Sequence, residues 1–200
     1  MMSKQEAMAQ ATDRALAALA GVDLPARLPR LGLPAPAAGV LAFRLFGQDA
    51  VLRLADLDLR TVAPAATARP ADRLLVLHYL RHEGNVQTAD RLVPFREFPG
   101  GAFYEGPFRT RTVAPLVARF GNDLDELRGR LRRFDSTPVA MGDLGARIHA
   151  FGPLHLTLVY QRGDEELGPS AEVLFAAAVR RVFGAEDAAV LASRICLGLL

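Results

Sequence analysis

The feature that most constrains the fold is a run of alternating residues at positions 154–161. The even-numbered positions carry Leu, Leu, Leu and Tyr, and the positions between them carry polar or smaller side chains, which is the period of two of a β-strand. Gly152-Pro153 precedes the run and predicts a turn, so residues 146–151 are expected to form the partner strand of a hairpin. After an acidic turn, Pro169-Ser170 predicts the start of a helix that Ser170 caps.

The rest of the chain predicts further helices and one more hairpin. A proline-rich segment, residues 23–39, predicts an extended path because four prolines disfavour regular structure. Residues 40–46 and 51–54 predict two strands around the turn Gly47-Gln48-Asp49, the second continuing towards residue 62. Residues 88–108 predict an irregular or partly extended stretch. The predicted helices are residues 3–20, 72–83, 112–120, 124–134, 170–183 and 185–199.

These elements predict an α+β fold. We expect a single, mostly helical domain with a small antiparallel sheet built from two hairpins. The expected organisation is an N-terminal helix and proline-rich connection over residues 1–39, followed by the α+β domain over residues 40–200.

Composition excludes several classes of protein. The net charge is only +2, and no basic stripe marks a nucleic-acid binder. The densest basic cluster, residues 128–133, lies beside acidic residues on one predicted helix and predicts a solvated face with ion pairs. Cys196 is the only cysteine, which rules out an internal disulfide framework, a four-cysteine zinc site and a self-contained iron–sulfur cluster. Without a signal peptide or a membrane-spanning apolar run, the expected location is the cytoplasm.

One candidate site is a metal centre. His78 and His82 are four residues apart on a predicted helix and would share a face, which is how a metal site can begin. Asp164, Glu165 and Glu166 form the acidic turn and would supply oxygen ligands or an acid–base pair. The alternatives remain open: the first histidine lies in the core, the second lies at the helix end, and the turn is a bare surface turn.

A second candidate site is a pocket for a planar cofactor such as a tetrapyrrole. Residues 95–108 hold five aromatic residues among three glycines and several charges. Flat rings would wall a pocket, and arginines would hold carboxylates or phosphates. The alternative is a long connection whose aromatic rings pin it to the core. The candidate ligand-binding residues are His78, Arg96, Phe98, Phe103, Tyr104, Arg109 and Tyr160.

Four segments together resemble domain-of-unknown-function family 3786, over about residues 40–200. They are LHYL at residues 77–80, FREFPGG at 95–101, GDEELGPSAEVLF at 163–175 and AEDAAVL from residue 185. In that family the acidic turn usually runs into a Phe-Pro pair, whereas Leu167-Gly168-Pro169 stands here. The resemblance implies no reaction. Some relatives join this domain to a cysteine-rich iron–sulfur module. This chain lacks those cysteines, so the resemblance implies that an electron-transfer role would need a redox partner protein or a cofactor held without thiolates.

Three functions remain open, and the residues do not decide whether the chain is an enzyme. The chain would bind a small organic cofactor, act as a metal-dependent hydrolase, or serve as a structural or adaptor domain. The first two require that the helix around His78, the aromatic segment and the acidic turn surround one shared hollow.

Overall fold

The structure is a computed structural model that describes residues 3–64, 66–86 and 91–200. The chain divides into two compact units, residues 1–87 and 88–200. The domain boundary expected at residue 39 stays a prediction. Residues 88–90, where the predicted irregular stretch begins, lie outside the described residues.

The first unit begins with two helices, α1 (Lys4–Leu19) and α2 (Leu24–Arg27), and a 3₁₀ helix over Leu28–Leu31. A capping box starts α1: the Ser3 hydroxyl accepts from the Glu6 N–H (3.1 Å), and the Glu6 carboxylate accepts from the Ser3 N–H (2.7 Å). The extended path predicted for residues 23–39 is therefore wrong in part. Two of its prolines stand in first helical turns, where a missing N–H costs nothing.

Four antiparallel strands and a helix complete this unit. They are β1 (Val40–Leu45), β2 (Gln48–Arg53), β3 (Asp58–Thr61), β4 (Ala66–Thr67) and α3 (Pro70–Leu80). The predicted first hairpin is confirmed, but its turn is the pair Phe46-Gly47. Both residues have positive φ (49° and 78°), as a tight two-residue hairpin turn requires. The expected continuation of β2 is instead a third strand that runs back along it.

The second unit contains a five-stranded antiparallel sheet in the order β6-β7-β8-β9-β5. The strands are β5 (Leu92–Pro94), β6 (Ser136–Val139), β7 (Leu144–Phe151), β8 (Leu154–Gln161) and β9 (Ser170–Ala176). The β7–β8 hairpin confirms the prediction. The helix predicted from Ser170 is wrong at its start, because buried Ala171, Val173 and Phe175 alternate with more exposed residues and pair with β8.

Five helices and a short 3₁₀ helix (Phe95–Glu97) complete the second unit. The helices are α4 (Gly101–Arg111), α5 (Val113–Phe120), α6 (Leu124–Leu131), α7 (Ala177–Val182) and α8 (Ala185–Leu199). Of these, α5, α6 and α8 confirm the prediction, whereas α4 replaces the predicted irregular stretch. Glycine and proline within α4 lower its intrinsic helix propensity, and packing overrides that preference. α5 packs on β9 and on α8.

The α+β class is confirmed. A small sheet made of two hairpins is wrong in extent, because the described ranges contain nine strands, all paired antiparallel. Within those ranges, no helix combines the length and the apolarity that crossing a bilayer requires.

Candidate functional site

Three of the five aromatic residues in the predicted pocket wall belong to the core. The Phe95 and Phe108 rings stack with centroids 4.0 Å apart and planes 2° from parallel. Phe98 meets Phe175 of β9 edge to face, with centroids 4.9 Å apart. Phe98 is only 2% exposed, so this predicted pocket residue faces other rings of the core.

The second glycine of the Gly100-Gly101 pair is required by close packing of the backbone. A Cβ atom at Gly101 would lie 2.2 Å from the Phe95 carbonyl oxygen, a distance at which backbone must move. The Gly101 N–H also donates to the Phe98 carbonyl at 2.7 Å. The first turn of α4 therefore lies directly against the 3₁₀ helix, and only glycine fits there.

The other two aromatic side chains of the segment are exposed on α4. The Phe103 side chain is 90% exposed and Tyr104 is 63% exposed. Helical spacing places Pro107 and Arg111 beside them, because residues three, four and seven apart share a face. We call these four residues the α4 face.

The candidate arginines near α4 lie at the surface. Arg96 and Arg109 are exposed, and within the described residues no carboxylate pairs with either of them. Arg109 lies about 140° around the helix from Tyr104, whereas Arg111 lies two turns after Tyr104 on the same face. Arg111 is therefore a residue that the sequence reasoning missed, and the helical register of residues 101–111 is the signal that finds it.

Tyr160 is a buried residue of β8 and lines the interior of the second unit. Its hydroxyl donates to the Gly121 carbonyl at 2.8 Å, and burial raises the pKa of the Tyr160 phenol. This contact ties the sheet to the loop between α5 and α6.

The acidic turn is organised around its first carboxylate. Asp164 Oδ1 accepts from the backbone N–H groups of Leu167 (2.8 Å) and Glu166 (2.9 Å). These bonds stabilise the charged form and lower the pKa of Asp164 below its ordinary value. The Glu165 and Glu166 side chains are exposed. Asp164 therefore acts as a turn-forming residue.

The acidic turn and the end of α4 lie at opposite ends of α5. Asn122, just after α5, accepts from the Gly163 N–H (2.8 Å) and donates to the Gly163 carbonyl (3.0 Å). Arg111, at the end of α4, is separated from α5 only by Thr112. Because α5 has eight residues, it spans about 12 Å. About 12 Å of helix therefore separates Arg111 from the acidic turn.

The two candidate histidines belong to the first unit. His78 is half-buried near the end of α3, and His82 lies beyond the helix, which ends at Leu80. The expectation that they share a helical face therefore fails at His82. Within the described residues, no group of three histidine, cysteine or carboxylate side chains is placed to hold a metal ion. A metal site that joins these histidines to Asp164, Glu165 and Glu166 stays a prediction.

Comparison with known proteins identifies the family and leaves the function open. No curated protein and no solved structure matches this chain significantly. Residues 23–197 match the family described as "Domain of unknown function (DUF3786)", which confirms the resemblance seen in FREFPGG and the acidic turn. The match extends further towards the N-terminus than the four segments predicted. The chain belongs to the DUF3786 family.

Proposed function

We propose that this chain is an adaptor domain that binds a partner protein through the α4 face. The observation that carries the proposal is the exposure of Phe103 and Tyr104, neighbouring aromatic residues on a regular helix. Burying a phenylalanine side chain contributes about 1.5–3 kcal/mol. The fold leaves the Phe103 side chain exposed, although it buries three other phenylalanines from the same segment.

The composition of the α4 face is that of a protein interface. Aromatic residues and arginine are enriched at the centres of interfaces and account for most of their binding free energy. The α4 face contains Phe103, Tyr104 and Arg111 within three helical turns, with Pro107 between them. An exposed helix face of this kind suits contact with another protein, whereas small molecules bind mainly in concave sites.

The charge around the α4 face indicates the chemistry of the partner. Arg96, Arg109 and Arg111 are exposed, and the nearby Glu97 carboxylate already pairs with Arg91 (3.3 Å) and Arg180 (3.4 Å). The partner would therefore present an apolar patch for the two rings, with carboxylates around it for the arginines. A redox partner protein, which the family resemblance implies, would meet this description only if its docking surface is acidic.

A peptide-display selection tests the proposal. Random peptides are selected on the wild-type chain and counter-selected on the double variant Phe103→Ala/Tyr104→Ala. Selected peptides are expected to combine acidic with apolar residues. Where a peptide contains tryptophan, the change in its fluorescence measures binding directly, because this chain has no tryptophan. Affinity should fall tenfold or more in the double variant and severalfold in Arg111→Gln.

A matched control separates the α4 face from general basicity. Arg181 is an exposed arginine on α7, and Arg181→Gln removes the same charge from another helix. Equal weakening by Arg181→Gln and Arg111→Gln, or peptides that bind the double variant as well as the wild type, would overturn the proposal.

The cofactor hypothesis is tested with the same variants. A tetrapyrrole held by Phe103, Tyr104 and nearby arginines would change its visible absorbance when titrated with the wild-type chain, and the double variant would abolish the change. Such a result, obtained with haem or cobalamin, would replace the adaptor proposal by cofactor binding. The experiment thus decides between the two remaining functions of this surface.

A further inference from the structure

The acidic turn carries the two features that the α4 face requires of a partner. Leu167 follows the three carboxylates directly and is 72% exposed. Glu165 and Glu166 beside it are also exposed, and neither pairs with an arginine within the described residues. The turn therefore presents an apolar side chain next to carboxylates, which is the surface that two exposed rings and their neighbouring arginines would bind.

The α4 face and the acidic turn carry opposite charge. Helix α4 contains Arg109 and Arg111 against a single carboxylate, Glu105, which is half-buried and has its Oε2 atom shielded from solvent. The acidic turn has three carboxylates against one neighbouring guanidinium, that of Arg162. Complementary charge of this kind steers two surfaces together and fixes their orientation.

The two surfaces do not meet within one chain. Phe103 is 90% exposed, so the Leu167 side chain of the same chain does not cover it. Helix α5 separates Arg111 from the acidic turn by about 12 Å. Contact between the α4 face and the acidic turn therefore requires two copies of the chain.

The acidic turn keeps its shape without a partner. The Asp164 N–H donates to the Leu167 carbonyl at 2.8 Å, in addition to the two bonds that the Asp164 carboxylate accepts. The ends of the turn are in close contact, since a Cβ atom at Gly163 would lie 2.6 Å from the Pro169 nitrogen. A surface that is already ordered loses little conformational entropy when it is bound.

One arrangement of two copies is favoured by charge. Two α4 faces in contact would place Arg109 and Arg111 against the same arginines of the other copy. Two acidic turns in contact would place carboxylates against carboxylates, and repulsion of like charges disfavours both arrangements. The α4 face against the acidic turn places opposite charges together and the exposed rings against Leu167.

We propose that the chain associates with itself head to tail, the α4 face of one copy binding the acidic turn of a second copy. This proposal rests on the adaptor function proposed above, because it names the partner of the α4 face. Phe103 and Tyr104 would pack against Leu167 of the second copy, whose carboxylates would pair with the arginines. Each contact leaves a free α4 face on one copy and a free acidic turn on the other, so further copies can add.

Sedimentation equilibrium of the full chain tests the self-association. The average mass of the wild type should rise with concentration between about 10 µM and about 1 mM, and less steeply at high salt, which screens exposed charges. The double variants Glu165→Lys/Glu166→Lys and Phe103→Ala/Tyr104→Ala should each weaken association tenfold or more. A wild-type chain that stays monomeric up to about 1 mM would overturn the proposal.

Mixing the two double variants tests the head-to-tail arrangement. The glutamate variant keeps an intact α4 face, and the aromatic variant keeps an intact acidic turn. Each should stay monomeric alone, and the mixture should form a complex of one copy of each and nothing larger. Association of either variant alone at the wild-type affinity, or a mixture that stays monomeric while the wild type associates, would show a different interface and overturn the proposal.

A matched control separates the acidic turn from net charge. Asp13 and Glu186 are exposed carboxylates on α1 and α8, so Asp13→Lys/Glu186→Lys makes the same charge change outside the turn. It should associate like the wild type, and a loss equal to that of the glutamate variant would overturn the proposal. Circular dichroism confirms that each variant is folded.

The peptide selection separates failure of this proposal from failure of the adaptor function. Peptides that bind the α4 face while the wild-type chain stays monomeric would remove the self-association and leave the adaptor function standing. A monomeric chain that also selects no peptide on the α4 face would remove both.

Discussion

The buried and the exposed aromatic residues of residues 95–108 belong to one short segment and have opposite fates. Phe95, Phe98 and Phe108 pack against one another and against the sheet, whereas Phe103 and Tyr104 face solvent. The residue types are the same, so composition does not separate the two sets. Their places in the fold separate them. Phe95 and Phe98 lie in and just after the 3₁₀ helix, and Phe108 faces the core from α4. Phe103 lies about 140° around α4 from Phe108, and Tyr104 lies beside the buried side with most of its ring exposed.

The acidic turn shows the same division on a smaller scale. Asp164 accepts hydrogen bonds that close the turn, whereas Glu165 and Glu166 extend into solvent. In both segments, one part holds the fold and the neighbouring part is exposed. Substitutions on either side of this division should therefore have very different effects.

Gly101→Val should nearly abolish folding, because its Cβ would overlap the Phe95 carbonyl. We expect a loss of about 5 kcal/mol or more in the free energy of unfolding, which approaches the whole stability of a small domain. Gly106 is the matched control on the same helix, since a Cβ atom there would have nothing within 4 Å. Gly106→Ala should stabilise by up to about 1 kcal/mol through helix propensity. Urea unfolding measures both, and equal effects would show that α4 does not pack as described.

Phe108→Ala and Phe103→Ala should differ strongly although they remove the same side chain from one helix. Phe108 stacks on Phe95 in the core, so its loss should cost about 3–5 kcal/mol. Phe103 is 90% exposed, and its loss should change stability by less than about 0.5 kcal/mol. Thermal and urea unfolding of both variants measure the difference. A large destabilisation by Phe103→Ala would mean that its ring is buried and would remove the α4 face.

Asn122→Ala should loosen the acidic turn without unfolding the chain. It removes two hydrogen bonds to Gly163, each contributing about 1 kcal/mol, so we expect a loss of about 1–2 kcal/mol. Glu165→Ala, a change on the same turn in an exposed side chain, should leave the unfolding midpoint unchanged. Similar losses in both variants would contradict the division between the fixed and the exposed parts of the turn.

The sequence predicted the elements whose local pattern and packing agree. The β7–β8 hairpin, α5 and α8 follow from alternation, helical spacing and terminal glycines. The predictions were wrong at α4 and β9. In α4, the glycines and Pro107 lower the helix propensity, but packing on the 3₁₀ helix stabilises the helix. In β9, Pro169-Ser170 favours the start of a helix, but pairing with β8 stabilises a strand.

The candidate site was harder to predict than the fold. Aromatic content alone could not tell Phe98 from Phe103, because that distinction requires knowing that residues 101–111 are helical. The ion pairs predicted beside the basic cluster are confirmed, since Arg128 pairs with Asp125 at 2.6 Å and Arg130 pairs with Glu126 at 3.2 Å. Arg128 and Arg132 belong to the predicted basic cluster, yet nothing local separates a paired arginine from an unpaired one.

The smallest expected effect is the pH dependence that Asp164 contributes. Its pKa is lowered in the folded chain by hydrogen bonds from the Leu167 and Glu166 backbone N–H groups. A lowered folded pKa contributes stability that is fully present above the unfolded pKa of about 3.9 and is lost as the pH falls through the folded value.

Asp164→Asn keeps an oxygen acceptor without the charge. The variant should therefore unfold at a lower temperature than the wild type at pH 7, and the two midpoints should converge below about pH 4. Glu165→Gln, which alters a neighbouring carboxylate outside the turn's hydrogen bonds, should follow the wild type across the same range. Thermal unfolding from about pH 7 to about pH 2.5 measures all three, and a midpoint difference for Asp164→Asn that stays constant with pH would show that the charge does not hold the turn.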